Sequence, residues 1–317
     1  MKIHDKPGSN RNEQAMEDQW RGLLYPARLP AFHRLPPPDA LRDRLRWIWI
    51  PEWDLAPGKV SRQEVLPFPA LNLVVQEDGV SLSGPATRRS FRDLAGQGWA
   101  VGMLLRPAAV PVFTDDPGSL RDAEIPFHAP DLHAAVTAAM SCGAGGAAEN
   151  DNDDDGARRQ ERLSGHRRAA STAAEWLAAR VPVPAAEGEA ANRMEDLIQS
   201  DRELTRVDQA ADQLGVSVRT LQRLAHRFVG LPPLTMIRRY RLQEAAERLR
   251  ENSEISIADV AADLGYADHA HLANAFREVL GFTPSGYRQS VGQQLLTDRL
   301  MPGAAADNQI AGEIHLP

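Results

Sequence analysis

The protein has 317 residues, 43% of them hydrophobic, and a formal charge of −7 from 36 Lys and Arg against 43 Asp and Glu. That length and apolar content suffice for two packed domains, while the acidic balance excludes a protein that coats nucleic acid or membrane over its whole surface. A single cysteine, Cys142, excludes an internal disulfide framework and a multi-cysteine zinc site.

Residues 1–19 have no hydrophobic period and read as a disordered N-terminus without a signal-peptide core. With no apolar run near the roughly 20 residues of a membrane span, the expectation is a cytoplasmic protein with no membrane partner. From Trp47 onward, apolar runs (RWIWI, VSRQEVL, ALNLVV, VSLSG, GWAVGMLL and VPVF) alternate with turn signals such as Pro57-Gly58, Asp78-Gly79 and Asp116-Pro117-Gly118. This spacing predicts a β-rich barrel or sandwich over residues 20–140, with a hairpin turn at Asp78-Gly79 and a helix over 131–140. Small and charged residues from 141 to 165 read as a flexible acidic linker or insertion. Its DNDDDG run, 151–156, imitates the start of a calcium loop, but position twelve is Arg162 and not Glu, so no metal is expected there. Helical period returns in residues 166–200, connecting helices that fit either a dimer seam or packing between domains. Residues 201–288 read as helices broken by short turns, and 289–317 as a loose tail. The fold class is α+β, a β-rich domain followed by an all-α domain.

The helical region holds an internal repeat. VDQAADQLGVSVRTLQRLAHRFVGLPP (207–233) aligns with IADVAADLGYADHAHLANAFREVLGFTP (257–284), setting Ala211, Leu214 and Gly215 on Ala261, Leu264 and Gly265, and Leu221, Gly230 and Pro233 on Leu272, Gly281 and Pro284. Each copy is a short helix, a glycine turn and a longer helix ended by glycine, the helix-turn-helix pattern. Ser217 and Ser256 stand at capping positions, Ser256 in a capping box with Asp259, and Gly215 and Gly265 suit a left-handed helix exit. On the helix from Ser217, the spacing of Val218, Leu221, Leu224 and Phe228 marks the buried face. Arg219, Gln222, Arg223 and His226 project from the other. Arginine pairs with guanine O6/N7 and glutamine with adenine N6/N7, so this set suits base reading in a major groove. Residues 217–241 hold six arginines and no acid, whereas a solvated helix face normally mixes signs at i,i+4 spacing. An anionic partner, double-stranded DNA, is therefore favoured.

The stretch LGVSVRTLQRLAHRFVG…RRYRLQEAAERLR…SIADVAADLGYADHAHLANAFREVLGFTPSGYR resembles the AraC/XylS transcriptional regulators. The resemblance covers about residues 200–288. It rests most specifically on Ala261, Gly265-Tyr266, Leu272, Phe276, the Gly281-Phe282-Thr283-Pro284 turn and Tyr287-Arg288; Ala225 departs from it, standing where the family usually has an aromatic residue. It implies two helix-turn-helix subdomains joined by a long helix whose packing face is Leu242, Ala245, Ala246 and Leu249. It sets base-facing positions on Arg219, Gln222 and Arg223 in the first reading helix, 217–228. In the second, about 268–279, they fall on His269 and Asn274, with Ala270 and Ala273 on the same surface. Ser217, Arg227, Arg277 and Thr283 fall at phosphate-contacting positions, which orient a protein on DNA without specifying sequence. Reading helices one DNA turn apart, about 34 Å, enter successive major grooves. The resemblance also implies a regulatory domain ahead of the DNA reader, often cupin-like. EVLPFPALNLVV, SGPATR and GWAVGMLLRPAAVPVF are similar to an uncharacterised sensor type found with this module. A small-molecule effector, a homodimer and an RNA polymerase contact enter as expectations on that ground.

Other residues leave alternatives. Trp47, Trp49, Trp53, Phe68 and Trp99 fit a core or a pocket, with the core favoured. Arg106, at a strand end, fits an anionic ligand or, more simply, the surface. His128 and His133 lack the HxH and downstream Glu of a cupin metal centre, and His269 and His271 point apart on a helix, so neither metal nor cofactor is expected. Cys142 sits in a Gly/Ala-rich stretch without a His partner, so no enzyme is expected. The rival reading is a helix-turn-helix protein-interaction module that binds polymerase or another partner without reading DNA sequence. DNA binding without salt dependence or sequence preference would mark it.

Overall fold

The computed structural model describes residues 31–65, 67–141, 155–252 and 254–291. The N-terminal segment 1–19, residues 142–154 with Cys142 and most of the acidic run, and the tail from 292 lie outside them.

Strands β1 (Ala31–Leu35), β2 (Leu45–Asp54), β4 (Asn72–Gln76), β5 (Gly79–Ser83), β7 (Gln97–Leu105) and β8 (Glu124–Pro126) form an antiparallel sheet in the order β1-β2-β7-β4-β5-β8. Strands β3 (Val60–Val65) and β6 (Ser90–Ala95) form a separate two-stranded ribbon. Alternation along the strands gives the sheet two different faces. Ile48, Ile50, Leu73, Val75, Val101 and Met103 point to a core closed by helices α1 (Pro130–Ser141) and α2 (Asp155–Arg180). Helix α2 meets this core with Ala169, Ala170, Ala173 and Ala174, small residues that let a helix lie close. The opposite face carries Trp47, Trp49, Trp53, Val74 and Leu104 under the ribbon. Trp49 and Trp53 rest on glycines of β7: a Cβ at Gly102 would stand 2.0 Å from the Trp49 ring, and one at Gly98 2.5 Å from that of Trp53.

Four readings of this region change. VPVF is no strand, because residues Pro107–Val112 form a 3-10 helix in which Pro107 and Pro111 have no N–H for a ladder. The pairing of Gln76 with Gly79 puts the hairpin turn on Glu77-Asp78, and Gly79 opens β5. Strands β1, β6 and β8 had no sequence signal; β6 and β8 are largely exposed and so lack apolar alternation. Residues 155–165 of the expected linker are helical, continuous with α2, since Ala, Arg, Gln and Glu propagate a helix without apolar periodicity.

The C-terminal region is helical: α3 (Ala186–Ser200), α4 (Val207–Gln213), α5 (Val218–Phe228), α6 (Pro233–Glu251), α7 (Ile257–Asp263), α8 (His269–Leu280) and a helix over 284–291. Two further cores organise it. One joins Trp47, Phe68 and Leu104 of the N-terminal domain to Met194 and Ile198 of α3, Leu221, Leu224 and Phe228 of α5, and Tyr240 of α6. The other draws only on residues between 242 and 291. Helix α6 runs from the first to the second. Trp47, Phe68 and Tyr240 meet edge-to-face with ring centroids 5.4 and 5.7 Å apart, contacts that each add about 0.5–1.5 kcal/mol beyond burial. The segment 166–200 thus packs between and against domains. No helix among the described residues is long and apolar enough to cross a membrane.

Candidate nucleic-acid interface

The first helix-turn-helix unit is built by local chemistry. Helix α4 exits through Gly215 at φ +65°, and the Ser217 hydroxyl caps α5 by accepting the Thr220 N–H at 3.1 Å. Leu221, Leu224, Ala225 and Phe228 are buried, while Val218 is 38% exposed. Val218 was expected inside, but it is the first helical residue and stands outside the shared core. Arg219, Gln222, Arg223, His226 and Arg227 are all exposed.

The expectation that no acid reaches these arginines fails in three dimensions. Glu187, in the first turn of α3, accepts hydrogen bonds from both Arg223 and Arg227. At 36 and 40 residues' separation, no helical spacing rule reveals it. Arg219 makes no ion pair among the described residues. Because Arg223 and Arg227 are more than half exposed, each pair contributes only about 0–1 kcal/mol, an amount that a DNA phosphate or base can displace.

The second unit repeats the frame with other chemistry. Gly265 has φ +62°, and the Asp268 carboxylate caps α8 by accepting the His271 N–H at 2.7 Å. Leu272, Phe276, Val279 and Leu280 are buried, and Ala273 joins them at 4% exposure, so it is core and not reading surface. His269, Ala270, Asn274 and Arg277 are exposed, with Arg277 Nη1 donating to Asn274 Oδ1 at 2.8 Å. The Thr283 hydroxyl accepts the Gly286 N–H at 3.1 Å and caps the next helix. His271 packs edge-on to Tyr266 with its Nδ1 accepting the Ala267 N–H. Among the described residues no group of His, Cys, Asp and Glu could hold a metal.

Helix α3 ties the first unit to the sheet. Glu195, fully buried, pairs with Arg46 at 2.7 Å and accepts the Tyr240 hydroxyl at 3.1 Å. Burial alone would lower the Arg46 pKa, but the Glu195 carboxylate, aided by Tyr240 and Asp196, holds it above its ordinary value. Arg106 pairs with Asp196 at 2.7 and 2.8 Å, which corrects both sequence readings of it: it is an interdomain anchor. The Asn192 side chain bridges the Asp43 carbonyl at 2.6 Å and the Ala108 N–H at 3.0 Å. His133 contacts the Gln76 and Glu77 carbonyls at 3.0 Å, fastening α1 to the β4–β5 turn. Sequence reasoning missed Glu187, Asn192, Glu195 and Asp196; the nearest signal was a run of acids on one helix beside basic partners far away in the chain.

Two helix-turn-helix units joined by one long helix give this region the double helix-turn-helix architecture. Residues 210–290 match a family described as a helix-turn-helix domain, and residues 33–126 match a domain of unknown function, DUF6597. The chain is 38% identical over 82 residues to the HTH-type transcriptional activator RhaS of Escherichia coli O157:H7, a stretch that is 26% of this chain and 29% of that protein. It therefore spans less than a third of the length of the curated relatives it matches. The C-terminal domain of AraT, a response regulator from Geobacillus stearothermophilus, is 26% identical with TM-score 0.31, covering 33% of this chain and 88% of that one. ToxT from Vibrio cholerae O395 is 12% identical with TM-score 0.37, covering 82% and 96%. The C-terminal module is thus similar to that of HTH-type transcriptional regulators, and the region ahead of it matches a separate domain of unknown function.

Proposed function

We propose that the protein is a cytoplasmic, sequence-specific DNA-binding transcriptional regulator that reads successive major grooves with α5 and α8 and answers a small molecule or partner through its N-terminal domain. The observation that carries this reading is the two-faced helix α5, with Leu221, Leu224 and Phe228 in a core and Arg219, Gln222, Arg223 and His226 outside. Arg219 and Arg223 are suited to guanine and Gln222 to adenine; His269 and Asn274 are the corresponding readers on α8. Ser217, Arg227, Arg277 and Thr283 take phosphate contacts. In this reading the chain performs no catalysis, and homodimerisation and an RNA polymerase contact rest on family likeness alone.

Two features support control from the N-terminal domain. A cavity of about 240 Å³ between sheet and ribbon is lined by Trp47, Trp49, Trp53 and Phe68. Trp47 and Phe68 also belong to the core that positions α5, so a molecule seated in the cavity touches residues on which the first reading helix depends.

The test is selection of bound sequences from a random duplex pool by the full chain. Enrichment of a motif with two half-sites about ten base pairs apart supports paired groove reading. No enrichment, with binding insensitive to salt, returns the protein to the partner-binding reading.

A further inference from the structure

Two cavities adjoin where the N-terminal domain, α6 and the second helix-turn-helix unit meet, and they share Thr235 and Arg239. The first, about 480 Å³, is also lined by Arg88, Arg121 and Asp122; the second, about 310 Å³, by Arg238, Arg241 and Glu278. Five arginines thus face two carboxylates. Among the described residues none of the five guanidinium groups has an ion-pair or hydrogen-bond partner, and only that of Arg241 has an aromatic one, the Tyr266 ring 4.5 Å away, although the same acidic chain pairs Arg62, Arg92, Arg106, Arg180, Arg206 and Arg248 with carboxylates.

Arg88, Arg121 and Arg238 are exposed to solvent, but Arg239 and Arg241 are not simply solvated. Nε of Arg239 and both Nε and Nη2 of Arg241 are buried with no hydrogen-bond acceptor, and a buried donor left unsatisfied is destabilising. Burial pushes both guanidinium pKa values down, for Arg239 in spite of Glu278 and Asp122 nearby. The carboxylate of Asp122 is already engaged, accepting the Thr87 N–H and hydroxyl. Asp122 itself has φ +57°, the one positive value outside glycine among the described residues. That left-handed turn lies in the loop that presents Arg121 to the cavity.

We propose that the joined cavities bind a small polyanion, a phosphate ester or a di- or tricarboxylate, whose charge supplies the counter-ions that the five arginines lack. Guanidinium groups match the planar oxygen pairs of phosphate and carboxylate bidentately, and the space suits a metabolite-sized ligand. Arg88 and Arg121 belong to the N-terminal domain; Arg238, Arg239 and Arg241 lie on α6 beside α8. The anion therefore braces the second reading helix against the N-terminal domain, a regulatory consequence that rests on the proposed DNA-reading function, whereas the binding itself does not. The shared chemistry, an anionic oxygen cluster, has a second source in the DNA backbone.

The test uses the full chain without DNA, titrated with inorganic pyrophosphate and with citrate against sodium chloride at matched ionic strength, by calorimetry and by thermal shift. The expected result is saturable binding of one anion per chain, raising the melting temperature by mass action. Arg121→Ala and Arg239→Gln should each weaken binding about tenfold, the effect of losing a charged hydrogen bond, while Arg62→Ala on the ribbon binds as the parent does. Arg121 is exposed, so its variant keeps the test open should Arg239→Gln fail to fold. Absence of binding beyond the chloride control, or equal binding by Arg121→Ala, overturns the proposal. In a second arm, the salt dependence of duplex binding should be the same for Arg121→Ala and the parent; a slope shallower by about one unit assigns the cluster to DNA phosphate and also overturns it. A chain that enriches a DNA motif yet ignores both anions loses this site and keeps its function, and the converse result does the reverse.

Discussion

In the first helix-turn-helix unit, Leu221, Leu224 and Phe228 reach a core that also holds Trp47, Phe68 and Leu104 of the N-terminal domain; in the second, Leu272, Phe276 and Tyr287 close a core with residues 242–291 alone. One sequence plan thus serves two mechanical roles. The first unit is built into the N-terminal domain, and packed cores repack between discrete arrangements rather than deform smoothly, so a change near Trp47 reaches α5 directly. The second is held from outside: α6 carries it, the Arg89 N–H donates to the Val279 carbonyl at 3.1 Å, and the Arg89 guanidinium lies 5.3 Å from the Phe282 ring centre. Chemistry follows the same division, since at the positions proposed to face bases α5 exposes two arginines, a glutamine and a histidine, where α8 exposes only His269 and Asn274. In the proposed function, the first unit specifies the site and the second sets spacing.

The strongest way to break this comparison is at the buried junction. Glu195→Ala leaves the Arg46 guanidinium without its main partner and is expected to cost about 3–5 kcal/mol; Phe276→Ala, deep in the second core, should cost a similar 3–5 kcal/mol. The two differ in what unfolds. All six tryptophans lie before residue 177, so urea unfolding followed by both tryptophan fluorescence and far-ultraviolet dichroism separates the regions. Coincident transitions are expected for Glu195→Ala, and helix loss ahead of the fluorescence change for Phe276→Ala. Coincidence in both variants would make the two units one cooperative body.

Next in size is base reading. Arg223→Ala is expected to lose about 1–3 kcal/mol on the selected site and relax preference at one base pair, measured by competition with single-base variants; equal loss on all sequences would make Arg223 a phosphate contact. Arg227→Ala should weaken all duplexes alike and flatten the salt dependence by about one unit. A smaller effect of opposite sign is expected for Glu187→Gln. Releasing Arg223 and Arg227 from a half-exposed pair worth up to about 1 kcal/mol raises DNA affinity by up to roughly fivefold, readable in a mobility-shift titration. Unchanged affinity would show that Glu187 and DNA do not compete.

The smallest effect lies on the far side of the N-terminal domain. Burial opposes ionisation of Glu52, but the His166 imidazole, with Nε2 3.0 Å away, and the nearby Arg162 hold its pKa below the usual carboxylate value. A depressed carboxyl pKa contributes stability that is present above the unfolded pKa and is lost as pH falls through the folded one. Melting temperatures of the parent chain should therefore fall more steeply than those of Glu52→Gln below about pH 4, the reference carboxylate range; parallel curves would remove Glu52 from the acid response.

Much of the second half of the molecule was legible because its determinants are short-range. The caps at Ser217 and Ser256 act over three residues, and Gly215 and Gly265 adopt positive φ within the turns themselves. The repeat, the fold class and the exposed set Arg219, Gln222 and Arg223 follow from helical period and backbone chemistry. Strands without alternation were not legible, β6 being mostly exposed and VPVF interrupted by proline. Nor was the inward turn of Ala273, because alanine is equally at home on either face of a helix. What the sequence by itself determined is the second helix of each helix-turn-helix unit, 217–228 and about 268–279, and the side chains each carries. Only the tertiary structure decided which carboxylates meet which arginines, joining Glu187 to Arg223 and Arg227, Asp196 to Arg106, and Glu195 to Arg46, and leaving Arg121, Arg239 and Arg241 with none among the described residues; such pairs form between distant chain segments brought together by burying Trp47, Phe68 and Tyr240, and no local rule carries that information.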